Sequence, residues 1–251
     1  RKKNTLIVYE FLLPKFAAAF PDRELESLSS EDVLAFLTKL SEGRAKATKR
    51  TRFSSLTAFF NFIKNTHDAN LHNPCDTPLL RKLFRVPKNV RWDFLEKETV
   101  DEIIFKVPRV RDRLLLEVMA RGGLRVGEAL KLTPADIEDR KLILRAPKSG
   151  REQEVVFIPQ KVAQRLSEYV REKSIQPEER IFPIGYAAVR LIVKKAGNRA
   201  GVNLSPHDLR RHAATFASRS GTPIEIVSKI ILRHANLATT QRYLGTVSDT
   251  E

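Results

Sequence analysis

Four short segments of the sequence carry side chains that could bind a phosphate group, move a proton or attack an electrophile. Guanidinium, ammonium and imidazole groups pair with phosphate oxygens, and a phenol can act as a nucleophile. Taken singly, each segment has an ordinary explanation, since an arginine after two glycines is usually a surface residue and a lone tyrosine in a helix is usually half-buried. The residues concerned are Arg125, Lys148, His207, Arg210, His234 and, nine positions after that histidine, Tyr243.

The chain as a whole is strongly basic. Its 251 residues include 45 Lys and Arg against 30 Asp and Glu, which gives a net charge of +15 and an isoelectric point near 10.1. This balance favours a polyanionic partner, of which nucleic acid is the usual one, with binding that weakens steeply as salt rises. The densest group of cations, here called the basic cluster, is predicted to bind DNA and comprises Arg44, Lys46, Lys49, Arg50 and Arg52.

The composition excludes several classes of protein. With 42% hydrophobic and 30% charged residues, the chain is typical of globular proteins and not of disordered or collagen-like ones. The sequence has no glycine-rich loop ending in Gly-Lys-Ser/Thr, no histidine pair at metal-ligand spacing, and a single cysteine, Cys75. We therefore expect no metal, no cofactor, no small-molecule substrate and no membrane segment, in a cytoplasmic, nucleoid-associated protein.

Helical periodicity dominates the first ninety residues. Ser29 is a candidate N-cap, and Val33, Phe36 and Leu37 follow it at the spacing of one helix face. A second apolar stripe begins just after the basic cluster. Residues 86–93 are polar, basic and contain proline, which predicts a linker. The expected domains are therefore a helical one over 1–85 and a second over 94–251.

The second domain is expected to contain a small antiparallel hairpin. Strands are predicted over 141–145 and 155–158, where apolar residues alternate with polar ones or follow each other closely. Lys148 lies between them. The candidates for the buried face are Leu142, Leu144, Val155 and Phe157.

Helices are predicted for most of the remaining chain, so that the fold class is mainly α with a small antiparallel sheet. Apolar residues recur at helical spacing, and Gly221-Thr222-Pro223 ends one helix and begins the next. The predicted helices cover about 160–173, 186–200, 207–220 and 223–232, and a last one begins near Asn236 and carries Tyr243.

Read in chain order, the four segments resemble the active-site pattern of the tyrosine recombinase (integrase) family, which includes Xer-like recombinases and phage integrases. That pattern is an arginine in a Gly-Leu-Arg-x-x-Glu-Leu box, a hairpin lysine, His-x-x-Arg, a histidine or tryptophan, and a tyrosine nine residues later. Here the box reads Gly-Leu-Arg-Val-Gly-Glu-Ala at 123–129, and residues 234–243 match the closing motif almost throughout. The resemblance implies an N-terminal helical core-binding domain and a C-terminal α+β catalytic domain.

The resemblance also implies a role for each residue. Arg125 and Arg210 would stabilise the charge that develops on a DNA phosphodiester, and Tyr243 would attack it to form a 3′-phosphotyrosyl bond. Lys148 would protonate the leaving 5′-oxygen as general acid. Because the covalent bond conserves the energy needed for rejoining, neither metal nor ATP is required. The assisting residues would be His207 and His234 at the phosphate and Glu128, which orients the arginines.

Two departures from the family pattern affect these expectations. Arg233 stands where the family commonly has glycine, and its side chain is expected to point to solvent, with a contact to DNA as the alternative. Eight residues follow Tyr243, whereas the family often carries a C-terminal segment that docks on a neighbouring subunit. The resemblance implies a homo-tetramer on paired double-stranded DNA sites, and assembly through such a segment is left open.

Three functions compete at this stage. The first is a site-specific recombinase that exchanges strands between two DNA sites through a Holliday junction. The second is a type IB topoisomerase, an enzyme whose catalytic residues resemble this set and which rejoins the strand that it has cut. The third is a catalytically silent relative that only binds DNA. A compact chain with a Xer-like closing motif favours recombination over a topoisomerase, and the intact residue set argues against a silent relative. The DNA site is open, and so is the biological role among chromosome-dimer resolution, phage integration, and integron or transposon mobility.

Overall fold

In a computed structural model of the chain, the described residues are 3–86, 95–145 and 152–244, without the side chains of residues 3, 4, 242 and 243. Contacts between Cα atoms divide the chain into two compact units, Arg1–Val90 and Arg91–Glu251. Residues 87–93 of the predicted linker lie outside the described residues. None of the helices in the described stretches has the length and apolar character that a membrane crossing needs.

The N-terminal unit is built from α-helices. Ser29 caps the second of them, because its hydroxyl accepts a hydrogen bond from the backbone N–H of Asp32 while the Asp32 carboxylate accepts one from the backbone N–H of Ser29. The predicted apolar stripe of this helix is confirmed, since Val33, Phe36 and Leu37 are buried. The helices are α1 (Lys3–Ala19), α2 (Ser30–Leu40), α3 (Lys46–Thr66) and α4 (Pro78–Leu83).

Phenylalanine rings form the centre of this unit. The ring of Phe16 in α1 meets those of Phe36 in α2 and Phe60 in α3 edge to face, with centroids 5.1 and 5.8 Å apart. This geometry brings the positive edge of one ring to the negative face of the next and adds to the burial of apolar surface. Phe16, Phe36 and Phe60 are thus core residues of this unit.

The C-terminal unit packs around a central helix, α6 (Val110–Gly122). Leu114, Leu115, Leu116 and Met119 of this helix are all buried, which is typical of a helix that neighbours cover on every side. Helices α8 (Gln160–Glu172) and α10 (Pro206–Arg219) are among those that pack against it. The other helices are α5 (Lys97–Phe105), α7 (Val126–Ala129), α8 (Gln160–Glu172), α9 (Tyr186–Arg199), α10 (Pro206–Arg219), α11 (Ile224–Ile226), which continues into a π-helical turn (Val227–Ile231), and α12 (Leu237–Leu244).

A three-stranded antiparallel sheet completes this unit, in agreement with the predicted fold class of mainly α with a small antiparallel sheet. Its strands are β1 (Ile137–Glu138), β2 (Lys141–Arg145) and β3 (Gln153–Phe157), in the order β1-β2-β3. In the β2–β3 pair, Leu142 lies opposite Val156 and Leu144 lies opposite Glu154.

The register of β3 differs from the prediction by one residue. Leu142 and Leu144 are buried as predicted, but Val155 and Phe157 are 40% and 50% exposed. Residues paired across an antiparallel ladder project to the same face, so the partners of the two leucines, Glu154 and Val156, take the buried positions. The prediction was wrong because it placed the apolar residues inside and did not allow for a buried glutamate.

Candidate active site

Arg125 and Glu128 are positioned by the turn that ends α6. Gly123 adopts a left-handed conformation with φ of 63°, and a Cβ at this position would lie 3.1 Å from the carbonyl oxygen of Ile231. The chain then turns into α7, where the backbone N–H of Arg125 donates to Glu128 Oε2 at 2.8 Å and its Nη1 donates to Oε1 at 2.5 Å. Glu128 is buried while the Arg125 side chain is 27% exposed, so a buried carboxylate fixes an accessible guanidinium.

Arg210 lies one helical turn after His207 on α10. The start of this helix is defined by Ser205 and Asp208, which form a capping box. The Arg210 guanidinium is almost fully buried and donates to the carbonyl oxygens of Gly123 and Leu232. Its Nη1 lies 4.0 Å from Glu128 Oε2. Arg210 therefore connects the Arg125 turn with the segment that carries His234.

His234 is held by a buried chain of hydroxyl groups. Its backbone N–H donates to the carbonyl oxygen of Ser228 in the π-helical turn at 2.9 Å, and its Nδ1 lies 3.0 Å from Thr240 Oγ1. The Thr240 hydroxyl donates to Ser228 Oγ at 2.8 Å, so its oxygen is free to accept from Nδ1–H. In this tautomer the proton is on Nδ1, and Nε2 is an acceptor. Because Thr240 lies on α12, the same bond ties His234 to the helix that carries Tyr243.

Arg233 is buried, and the prediction that it points to solvent was wrong. Its residue is 5% exposed and its backbone is left-handed, with φ of 50°. Its Nη2 donates to Glu128 Oε2 at 2.7 Å, and its Nε lies 3.3 Å from Glu154 Oε2. The physical reason is that two buried carboxylates, those of Glu128 and Glu154, compensate the charge. Glu154 is not a candidate site residue in the sequence, and its burial follows from its place opposite Leu144 in the ladder.

The arginines set the protonation of the neighbouring groups. Burial opposes ionisation of Glu128, but the charge of Arg233 and the hydrogen bonds from Arg125 outweigh it and lower the pKa of the carboxyl. Burial and the charges of Arg210 and Arg125 lower the pKa of His234 to about 4. Burial, Arg210 and Arg211 likewise lower the pKa of His207. Both imidazoles are therefore neutral near pH 7 in the free protein.

The low pKa of His234 predicts a loss of stability in acid. Its pKa is about 4 in the folded chain and near 6.5 in an unfolded one, so between these values the unfolded state binds the extra proton. We expect the free energy of unfolding, measured by urea denaturation, to fall from pH 7 to pH 5, and to fall less in His234→Gln. Equal pH dependence in the two proteins would contradict this. His207 and His212, whose pKa values are also lowered, contribute equally to both.

The structure brings five of the predicted residues into one region: Arg125, Glu128, His207, Arg210 and His234. Arg125 and Arg210 both lie at Glu128, and the charges of these two arginines act on the pKa of both histidines. Lys148 lies outside the described residues, between β2 and β3 in the sequence. Tyr243 is in α12, and its side chain is not among those described. Within the described residues, no three His, Cys, Asp or Glu side chains lie together as metal ligands would.

The basic cluster belongs to the N-terminal unit and is not uniform. Arg44, Lys46 and Arg50 are exposed, and Lys49 is half-buried. The guanidinium of Arg52 instead donates to the carbonyl oxygen of Leu40 and to the Ser41 hydroxyl at the end of α2, and it lies 5.0 Å from the centroid of the Phe11 ring. Arg52 therefore contributes to packing within this unit.

The amino-acid sequence is similar to those of known recombinases and integrases. The sequence profile described as the phage integrase family matches residues 93–248. The chain is 30% identical to the tyrosine recombinase XerA of Pyrococcus horikoshii, over 97% of this chain and 83% of that protein. It is 28% identical to the tyrosine recombinase XerC of Leptospira interrogans, with the same two shares of 97% and 83%.

Solved structures with similar folds include two DNA complexes. A lambda integrase (75–356) dimer bound to a COC' core site has a TM-score of 0.75 at 18% identity, covering 100% of this chain and 92% of that one. The XerH site-specific recombinase bound to a difH substrate in a pre-cleavage complex has a TM-score of 0.72 at 22% identity, covering 95% and 75%. At these identities the likeness establishes the fold.

Proposed function

The chain belongs to the phage integrase family and is a tyrosine-type recombinase, and from this premise we propose that it cuts and rejoins DNA at specific sites through a 3′-phosphotyrosyl intermediate and a Holliday junction. The observation that carries the proposal is the shared environment of Arg125, His207, Arg210 and His234. Arg125 and Arg210 lie beside the buried Glu128 carboxylate and close enough to both imidazoles to lower their pKa.

The two arginines are assigned to the scissile phosphate. Attack on a phosphodiester builds negative charge on the non-bridging oxygens, and donors held in place beforehand stabilise that charge most effectively. Arg125 is fixed by Glu128 yet accessible, and Arg210 is fixed by two backbone carbonyl oxygens. Guanidinium groups present paired donors that match phosphate oxygens. Both arginines are thus prepared for the transition state before DNA arrives.

The two histidines and Tyr243 complete the proposed reaction centre. The lowered pKa of His234 keeps its imidazole neutral near pH 7, so the ring can accept a proton during the reaction. Once protonated, the imidazolium can donate a hydrogen bond to the phosphate. Tyr243 is the proposed nucleophile: its oxygen forms the bond to phosphorus, and the bond to the 5′-oxygen breaks. A tyrosine phenol has a pKa of ~10, and we assign to the site arginines the role of favouring its ionised form. Reversal of this step by another 5′-hydroxyl rejoins the strand.

Lys148 is the proposed general acid for the leaving 5′-oxygen. We expect Lys148→Ala to reduce cleavage of a nicked suicide substrate by about 100-fold or more, because the alkoxide then departs unprotonated. A 5′-bridging phosphorothiolate needs no such proton, since a thiolate is a better leaving group, and it should restore the rate. Matched Lys195→Ala, an exposed residue of α9, should behave as wild type on both substrates. No recovery on the sulfur substrate would contradict the role of Lys148.

DNA binding is proposed to involve the basic cluster of the N-terminal unit. The exposed members of the basic cluster, Arg44, Lys46 and Arg50, are available to phosphate groups. We assign them to a helical core-binding domain over 1–85, joined through 86–93 to a catalytic domain over 94–251. A homo-tetramer on two double-stranded sites is the proposed working assembly, because each exchange needs two cleavages on each of two duplexes.

One experiment separates the three competing functions. The protein is incubated with two matched DNA sites, selected beforehand from a random pool by binding, and the products are separated on native and denaturing gels. Holliday junctions and exchanged strands support recombination. Relaxation of supercoiled plasmid without exchange would point to a type IB topoisomerase, and site binding without a covalent adduct would point to a silent relative.

A further inference from the structure

A buried group of three charges lies beneath the candidate active site. The Arg233 side chain is 2% exposed and lies between the carboxylates of Glu128 and Glu154, which are 8% and 3% exposed. The three residues come from separate elements: the segment before His234, α7 and β3. Arg233 Nη1 also donates to the carbonyl oxygen of Ile231 at 2.8 Å, and Nη2 donates to the carbonyl oxygen of Gly123 at 3.3 Å. One guanidinium therefore contacts most of the segments that form the site.

An arginine is a costly residue at this position. The left-handed backbone disfavours every residue with a Cβ, and glycine would adopt it freely. Burial also strips the guanidinium and both carboxylates of their hydration. Neither cost is needed to make the turn, since glycine would make it without them. The contacts of the side chain must therefore serve something other than the turn itself.

The contacts with Glu128 indicate what Arg233 does. Glu128 Oε2 accepts from Arg233 Nη2 at 2.7 Å and from the backbone N–H of Arg125 at 2.8 Å, while Oε1 accepts from Arg125 Nη1. Arg210 Nη1 lies 4.0 Å from the same Oε2, just beyond a hydrogen bond. With Arg233 present, the carboxylate is satisfied and does not need Arg210. Without it, Arg210 is a cation among the described residues that could move toward this oxygen.

Resting on the proposed recombinase function, we propose that Arg233 is a positioning residue of the reaction, with Glu154 as its dedicated counter-charge. It holds the Glu128 carboxylate so that Arg125 stays oriented and Arg210 stays in place on the carbonyl oxygens of Gly123 and Leu232. Through Glu154 it also ties β3, the strand that follows Lys148 in the sequence, to the turn that carries Arg125. Among the described residues no hydrogen bond reaches either Glu154 carboxylate oxygen, so its 3.3 Å approach to Arg233 is the compensating interaction found there.

The test compares Arg233→Gly, Arg233→Lys, Glu154→Gln and the double variant R233G/E154Q in the full chain. DNA affinity is measured by fluorescence anisotropy, and the single-turnover cleavage rate is measured on a nicked suicide substrate. Glycine is chosen because it tolerates the left-handed backbone. The matched control is Ser174→Gly, an exposed residue with φ of 51°, which should change neither quantity.

We expect Arg233→Gly to bind DNA like wild type and to cleave about 100-fold more slowly, the loss typical of catalytic groups that are displaced by about 1 Å. Arg233→Lys keeps the buried positive charge but replaces the planar guanidinium with a single ammonium nitrogen. This variant should therefore fold, and it should cleave at an intermediate rate. Glu154→Gln should lose less than Arg233→Gly. The double variant should regain part of the loss, because no uncompensated Glu154 charge is left in the interior.

Three results would overturn the proposal. One is cleavage at the wild-type rate by both Arg233→Gly and Arg233→Lys. Another is a double variant no faster than Arg233→Gly. The third is a parallel fall of affinity, cleavage and melting temperature, which would mark Arg233 as a residue of stability alone. If Arg233→Gly does not fold, Arg233→Lys and Glu154→Gln decide by the same criteria. Absence of any adduct with wild-type protein would instead contradict the proposed function.

Discussion

Tyr243→Phe should bind its DNA site as tightly as wild type and form no covalent protein–DNA adduct. The substitution removes one oxygen atom, which is the proposed nucleophile, and leaves the arginines and the basic cluster unchanged. The expected effect is complete loss of strand cleavage and therefore of recombination. Adduct formation on a nicked suicide substrate, followed on denaturing gels, measures it, and anisotropy with the same DNA measures affinity.

A matched variant makes this result specific. Tyr186→Phe removes the same atom from an exposed tyrosine at the start of α9 and should form adduct at the wild-type rate. An adduct at the wild-type level in Tyr243→Phe would show that another residue attacks the phosphate. Loss of DNA binding in that variant would show that the tyrosine serves affinity in place of chemistry.

Arg210→Ala should lose cleavage by about 100- to 1000-fold, or about 3–4 kcal/mol of transition-state stabilisation. This exceeds the ~1 kcal/mol of an ordinary hydrogen bond to a ground-state phosphate. Part of the structure also depends on this side chain, because it donates to the carbonyl oxygens of Gly123 and Leu232. Arg210→Lys keeps the charge without the paired donors and should recover only a part of the rate.

Single-turnover cleavage at saturating protein, together with thermal melting, separates catalysis from stability for Arg210. The control is Arg219→Ala on the same helix, where the guanidinium forms an exposed ion pair with Glu96 and should contribute little. Cleavage by folded Arg210→Ala within a few-fold of wild type would remove Arg210 from the reaction. Equal losses in Arg210→Ala and Arg219→Ala would indicate a general effect of charge on DNA binding.

The sequence predicts the helices well because their signals are local. Ser29 with Asp32 defines a capping box, and Val33, Phe36 and Leu37 repeat at the spacing of one helix face, so neighbours in the chain suffice to locate the element. The helix that carries His207 and Arg210 was predicted over 207–220 and is found at Pro206–Arg219 for the same reason.

Burial within the site could not be predicted in this way because it depends on partners far apart in the chain. Arg233 is buried by Glu128, 105 residues before it, and by Glu154 on β3. A buried glutamate contradicts the apolar rule by which Val155 and Phe157 were placed inside. The spacing of the site residues predicts which groups act on the phosphate, but it carries no information on the buried charges that hold them.

The measurement that tests the account most directly is a crystal structure of the Tyr243→Phe protein bound to an uncleaved DNA site. We expect the guanidinium groups of Arg125 and Arg210 to donate to non-bridging oxygens of a single phosphate. Residue 243 should face that phosphorus opposite the 5′-oxygen, with His207 and His234 within hydrogen-bond reach of the same phosphate. Arginines that contact different phosphates, or a residue 243 remote from the phosphate they share, would contradict it.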